Sequence, residues 1–156
     1  MGNQFTSIRN TISVVYSVVK IKRQSAYIIK NNITFLDMFD ETVDLHPTKM
    51  IYFKERSISL VEFSHLTHKI ARKIMEMGVQ PGHVVPLLAN NSPEYLMMWI
   101  ALARIGASAG LINTNLKDDS LKHCLDVSFE VSKHEDTRFI VYDNEHATEI
   151  DSLRFN

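Results

Sequence analysis

A chain of 156 residues has room for one domain with a real core, and 45% hydrophobic with 22% charged residues excludes a disordered or fibrous polypeptide. The single cysteine, Cys124, excludes an internal disulfide or a cysteine-based metal cluster and fits a reducing compartment. The net charge of -1 hides an asymmetry: the first 30 residues carry five bases and no acid, whereas the other 126 carry 12 bases and 18 acids.

Residues 1–33 read as a basic, apolar arm. Arg9, Lys20, Lys22, Arg23 and Lys30 are interleaved with Ile8, Ile12, Val14, Val15, Tyr16, Val18, Val19 and Ile21. This apolar content favours an anionic membrane surface over phosphate tracking, so no nucleic-acid partner is expected. The run from Val14 to Val19 is far shorter than the roughly 20 residues of a bilayer span, and no small-residue cleavage site accompanies it. Met1-Gly2-Asn3-Gln4-Phe5-Thr6 fits M-G-x-x-x-[ST], which makes Gly2 a candidate for myristoylation. One acyl chain binds only marginally, and the five bases would supply the second membrane signal.

Residues 34–156 read as α/β. Thr34 caps a helix with Phe35, Phe39 and Val43 at spacing four, which ends before Pro47. Met50–Phe53 is a short strand, Lys54-Glu55-Arg56 a turn, and Ser57–Ser59 the second strand of a hairpin. Ser59 and Glu62 then open a helix whose apolar period runs through Leu60, Phe63, Leu66, Ile70, Ile74 and Met77 to Gly78. After the Pro81-Gly82 turn, Val84–Leu88 is a continuous apolar run, as in a strand buried on both faces. Pro86 lacks an amide proton and predicts an edge position or a local irregularity there. Ser92 and Pro93 start a helix that is apolar almost all round, so cover on more than one side is expected.

An extended stretch from Ser108 to Ile112 follows, then a helix around Asp119, a last strand at Phe139–Tyr142 and a last helix at His146–Leu153. Strands and helices in alternation predict repeated βα units forming part of a mostly parallel sheet.

"IGASAGL" contains Gly106-x-Ser108-x-Gly110, the spacing of a hydrolase nucleophile. A nucleophile elbow needs strand, turn, then helix, and here the order is reversed. Ser108 is expected at the start of a buried strand, facing neighbours, and none of His123, His134 and His146 is singled out as a triad partner. His65 and His68 lie on adjacent helical turns without a third metal ligand, and His83 is a loop residue. Asp118-Asp119 and Glu135-Asp136 read as exposed or capping acids. No glycine-rich loop ends in a lysine, so no phosphate cradle is expected.

The run from Thr34 to Leu125 resembles the N-terminal part of the adenylate-forming acyl-CoA synthetases. "TFLDMFDETVDLHPTKMIYF" is similar to the opening helix and first strand of that family, and "SISLVEFSHLTHKIARKIMEMGVQPGHVVPLLANNSPEYLMMWIALARIGASAG" to the block that follows. "LINTNLKDDSLKHCL" points to the very-long-chain synthetase and fatty acid transport protein branch. Pro86 and the long polar link "FEVSKHEDTRFIVYD" depart from the family pattern.

The resemblance implies the incomplete N-terminal portion of an adenylate-forming large domain. It implies a fatty-acid–CoA ligase, in which ATP and a fatty acid give acyl-adenylate and coenzyme A then displaces AMP, with Mg2+ at the phosphates. The family's phosphate loop, nucleotide segment, hinge and catalytic lysine lie beyond the matched run, so no catalytic or cofactor-binding residue is carried over. The expectation is a chain inactive alone, with unpaired sheet edges that promote association. Its expected place is the cytosolic face of the endoplasmic reticulum, peroxisome or plasma membrane. The alternative is a non-catalytic, lipid-anchored module that binds membranes or a full-length partner.

Overall fold

The computed structural model describes residues 20–134 and 137–153, and the chain divides into two compact units, Met1–Glu41 and Thr42–Asn156. Gly2 and Arg9 lie outside the described residues, as does the Glu135-Asp136 pair. No helix among the described residues is long and apolar enough to cross a membrane.

In the first unit, residues 20–30 form helix α1. Asn32 ends it at φ +52, with the Asn32 amide bonded to Ile29 O at 3.3 Å and the Ile33 amide to Ile28 O at 3.0 Å. This is the Schellman pattern, in which a left-handed residue lets the next amides close the last open carbonyls. Asn31 adds its side-chain amide to Tyr27 O. Helix α2 (Phe35–Leu45) follows. The Thr34 hydroxyl accepts from the Asp37 amide, while Asp37 accepts from both the Thr34 amide and hydroxyl at 2.7 Å. That reciprocal cap starts the helix as expected, with an aspartate in the position usually held by glutamate.

After the last turn of α2, the second unit continues with the hairpin β1 (Met50–Phe53) and β2 (Arg56–Ser59), antiparallel and in register from Met50↔Ser59 to Phe53↔Arg56. Arg56 thus belongs to the strand and not the turn, which is only Lys54-Glu55, with Lys54 at φ +53. Ser59 accepts the Glu62 amide and starts α3 (Leu60–Glu76). Then come β3 (Val84–Leu88), α4 (Pro93–Arg104) capped by Ser92, β4 (Ser108–Leu111), α5 (Asp118–Glu130), β5 (Val141–Tyr142) and α6 (Ala147–Ser152).

Strands β3, β4 and β5 form a parallel sheet in the order β4-β3-β5. Val85 packs with Ala71, Ile74, Ala101 and Leu102 of α3 and α4, whereas Leu88 packs with Leu121, Leu125 and Phe129 of α5 and Ile150 of α6. The two helical pairs therefore cover opposite faces. Steps in opposite directions along the sheet over opposite faces give both crossovers one hand, as parallel units require. The α/β expectation holds. Between α3 and α4, Arg104 donates through Nε to the buried Thr67 hydroxyl at 2.9 Å and through Nη2 to Ser64 at 3.3 Å, giving this contact a polar centre.

Two further expectations are corrected. Of the two readings for Pro86 the edge position fails, since it lies in the central strand, and the local irregularity holds, since the β5 ladder stops short of it. Leu87 O accepts from Ile112 on the β4 side and Leu88 O from Asp143 on the β5 side. Alternation then points the Pro86 nitrogen toward β5, where ladder pairing covers only Leu87 and Leu88. The ladder donor missing at Pro86 explains why the strand expected from Phe139 begins at Val141. Second, Ser108 is exposed and β4 is an edge strand, so the serine faces solvent. Helix α4 is covered on more than one side as expected, burying Met97, Ile100, Ala101 and Leu102, with Trp99 left 40% exposed.

Gly106 turns the chain from α4 into β4 at φ +74, and a Cβ there would lie 3.3 Å from Pro81 Cβ. Gly110 lies against Ser128 of α5, whose Oγ would be 3.1 Å from an added Cβ. Gly106→Ala is expected to lower stability by about 1–2 kcal/mol through the left-handed φ alone, read as a shift in the urea midpoint.

Candidate functional site

In open parallel sheets the crevice beyond the carboxyl ends of the strands, where the strand order reverses, is the usual ligand-facing edge. Here the order reverses at β3. The segment Ala89-Asn90-Asn91-Ser92 leaves its carboxyl end, and Asp143-Asn144-Glu145-His146 leaves that of β5, the last three as a 3-10 turn.

These two segments are tied together. Asp143 Oδ2 accepts the Asn90 backbone amide at 2.8 Å, and Glu145 Oε2 accepts the Asn90 side-chain amide at 2.8 Å. Asp143 Oδ1 lies 2.5 Å from Nδ1 of His146, which is 7% exposed. Burial pushes the Asp143 carboxyl up, but the Asn90 amide and the His146 ring outweigh it and hold the group below the usual carboxylate range. An ionised carboxylate only accepts, so the His146 Nδ1 carries the proton. Beside them, beyond β4, the Asn113 side chain accepts the Asn115 amide at 2.9 Å in a local turn. The arrangement fixes loop geometry at the carboxyl edge and orients one imidazole.

Elsewhere, the Glu94 carboxyl is lowered chiefly by its hydrogen bond from Arg56, which links β2 to the first turn of α4. Both partners are more than half exposed, so the pair contributes little to stability.

Ser108 starts β4 opposite Val84, at the amino end of the sheet, while Asp143 and His146 follow its carboxyl end. The G-x-S-x-G serine and the oriented histidine therefore sit at opposite ends of a parallel layer and form no triad. His65 is exposed, and no group of three or more His, Cys, Asp or Glu among the described residues is placed to hold a metal ion. Asp118 and Asp119 lie exposed in the first turn of α5, as expected. Lys20, Lys22, Arg23 and Lys30 are all exposed on α1.

His83, read as an ordinary loop residue, is 2% exposed. Its ring stacks on His134 at 4.2 Å, meets Phe139 edge-on at 5.2 Å, and accepts the Gln80 amide at Nδ1. It docks the polar link after α5 onto the start of β3. Sequence reasoning also missed the Asp143–His146 pair. The D-x-x-H spacing directly after a predicted strand was its available signal.

Comparison with known proteins places this architecture. The AMP-binding enzyme family matches residues 39–132. A very long-chain fatty acid transport protein of Cochliobolus heterostrophus is 32% identical over 110 residues, covering 70% of this chain and 16% of that protein. Long-chain fatty acid transport protein 6 of Mus musculus is 30% identical over 95 residues, covering 60% and 15%. The chain thus spans about one sixth of the length of these curated relatives. The inhibitor-bound N-terminal domain of FACL13 from Mycobacterium tuberculosis superposes with a TM-score of 0.67 at 24% identity, over 76% of this chain and 29% of that one.

Asp143→Ala is expected to cost about 1–3 kcal/mol and to lower the exchange protection of the Asn90 amide by about tenfold. Because the folded carboxyl is held below its ordinary value of 3.8, its contribution is full above that pH and is lost as the pH falls further. The variant should therefore lack that part of the acid-unfolding limb seen in the parent chain.

Proposed function

The chain belongs to the AMP-binding enzyme family, and from that premise we propose that it forms the first βα units of the large domain of a long-chain or very-long-chain fatty-acid–CoA ligase. The observation that carries this reading is the family match over residues 39–132, which falls on the hairpin, α3, β3, α4, β4 and α5. Likeness to fatty acid transport proteins of two organisms narrows it to fatty acids.

In such an enzyme ATP, Mg2+ and coenzyme A supply acyl-adenylate formation and thioester exchange. Within this segment the carboxyl-edge acids Asp143 and Glu145 are engaged with Asn90 and His146, and no residue of it is assigned to those groups. The contribution of this chain is positional. Asp143 holds the Asn90 loop, and the Asn90 loop leads into the Ser92 cap of α4, so the carboxyl edge is rigid where later parts of a large domain would meet it.

The intact enzyme would work at the cytosolic face of the endoplasmic reticulum, peroxisome or plasma membrane, where its fatty acid partitions. A second reading, a non-catalytic lipid-anchored module that binds a membrane or a full-length partner, draws support from the exposed basic helix α1. In either case, the outer edges of β4 and β5 favour association of the isolated chain.

Acyl-dependent ATP–pyrophosphate exchange tests the ligase reading. A polypeptide carrying this segment at the length of its relatives is expected to catalyse exchange with long-chain fatty acids, and the 156-residue chain to show none. Exchange by the short chain would overturn the positional role; its absence from the long one would overturn the ligase assignment. Sedimentation velocity is expected to show concentration-dependent association of the short chain.

A further inference from the structure

Helix α1 separates two chemistries that the linear sequence mixes. Ile21, Ser25, Ile28 and Ile29 recur at i, i+4, i+7 and i+8 and share one face. Lys20, Arg23, Tyr27 and Lys30 recur at i, i+3, i+7 and i+10 and share the opposite one, while Lys22 flanks the apolar stripe. The helix holds no acid. Ile21 is 60% exposed and Ile29 75%, while Ile28 between them is half-buried, so the stripe is open to solvent at its two ends.

We propose that α1 is an in-plane membrane-binding helix, its isoleucine stripe set into the acyl boundary of an anionic leaflet and its bases on the lipid phosphates. The charge complementarity decides the occupant. An apolar stripe bordered by Lys20, Lys22, Arg23 and Lys30 matches a surface that is apolar at depth and negative at its rim, which a bilayer with acidic headgroups provides. A duplex nucleic acid would use the bases and leave the isoleucines in water. The Schellman stop at Asn32 supports the assignment, because it closes the last carbonyls of the helix without a partner protein. This deepens the membrane-surface part of the functional reading and is independent of the ligase chemistry.

The test is flotation of the 156-residue chain, made without an acyl group on Gly2, with vesicles of phosphatidylcholine alone or containing roughly a third phosphatidylserine. The chain is expected to float with the acidic vesicles and to remain behind with the neutral ones. Lys20→Glu/Arg23→Glu/Lys30→Glu should reduce flotation by about tenfold or more. Ile21→Gln/Ile29→Gln, which keeps every charge, should do the same. Equal flotation on neutral vesicles, indifference to either set of substitutions, or capture by duplex DNA in place of vesicles would each overturn the proposal. ATP–pyrophosphate exchange is read in solution without vesicles, so the two readings fail separately.

Discussion

The missing amide of Pro86 is the constraint on which the second unit turns. Among the described residues β3 is the strand that pairs on both sides, and Val85, Pro86, Leu87 and Leu88 are all buried. A proline in such a strand is tolerated only if its nitrogen points where no ladder bond is needed. The register meets that condition by ending the β5 ladder at Leu87 and Leu88. The chain before Val141 is consequently released from the sheet, and its side chains are held by packing instead: Phe139 against the α3/α4 cluster and Ile140 against the α5/α6 cluster.

Shortening β5 to two residues removes most of the backbone bonds that would fix its position, and polar side chains at both ends of the strand take over. At the amino end, Ser132 Oγ accepts the Val84 amide at 3.3 Å and the His83–His134 stack clamps the link. At the carboxyl end, Asp143 receives the Asn90 amide and orients His146. The buried His83 Nε2 has no hydrogen-bond partner, and the ring is held by its contacts with His134 and Phe139. The carboxyl-edge cluster is therefore best understood as the fastening of a short strand first, and as a shaped edge for a larger domain second.

Elements with local signals were legible in the sequence. The caps at Thr34, Ser59 and Ser92 and the helix stops at Gly78 and Gly106 all act as read, because each depends on one or two neighbouring residues. Alternation of strands and helices was enough for the parallel sheet. Strand order was not legible, since Pro86 argues for an edge until the side to which its nitrogen points is known. The same holds for Ser108: small, in a promising spacing, and placed by topology at the wrong end of the sheet for His146. The α1 stop was hidden because Asn32, not glycine, takes the left-handed position.

The basic N-terminal segment illustrates why period matters more than composition. Five bases among β-branched residues are equally compatible with a strand, a phosphate-binding arm or a helix, and each would present its charges differently. In a strand, side chains alternate between faces, so Ile21, Arg23 and Ile29 would share one side and mix the two chemistries. At 3.6 residues per turn, Ile21, Ile28 and Ile29 instead fall together, with Arg23 and Lys30 opposite. The helix is thus what converts a mixed composition into a face. The caps at its end, Asn32 for α1 and Thr34 with Asp37 for the next helix, are made without Ile21 or Ile29, which stay exposed.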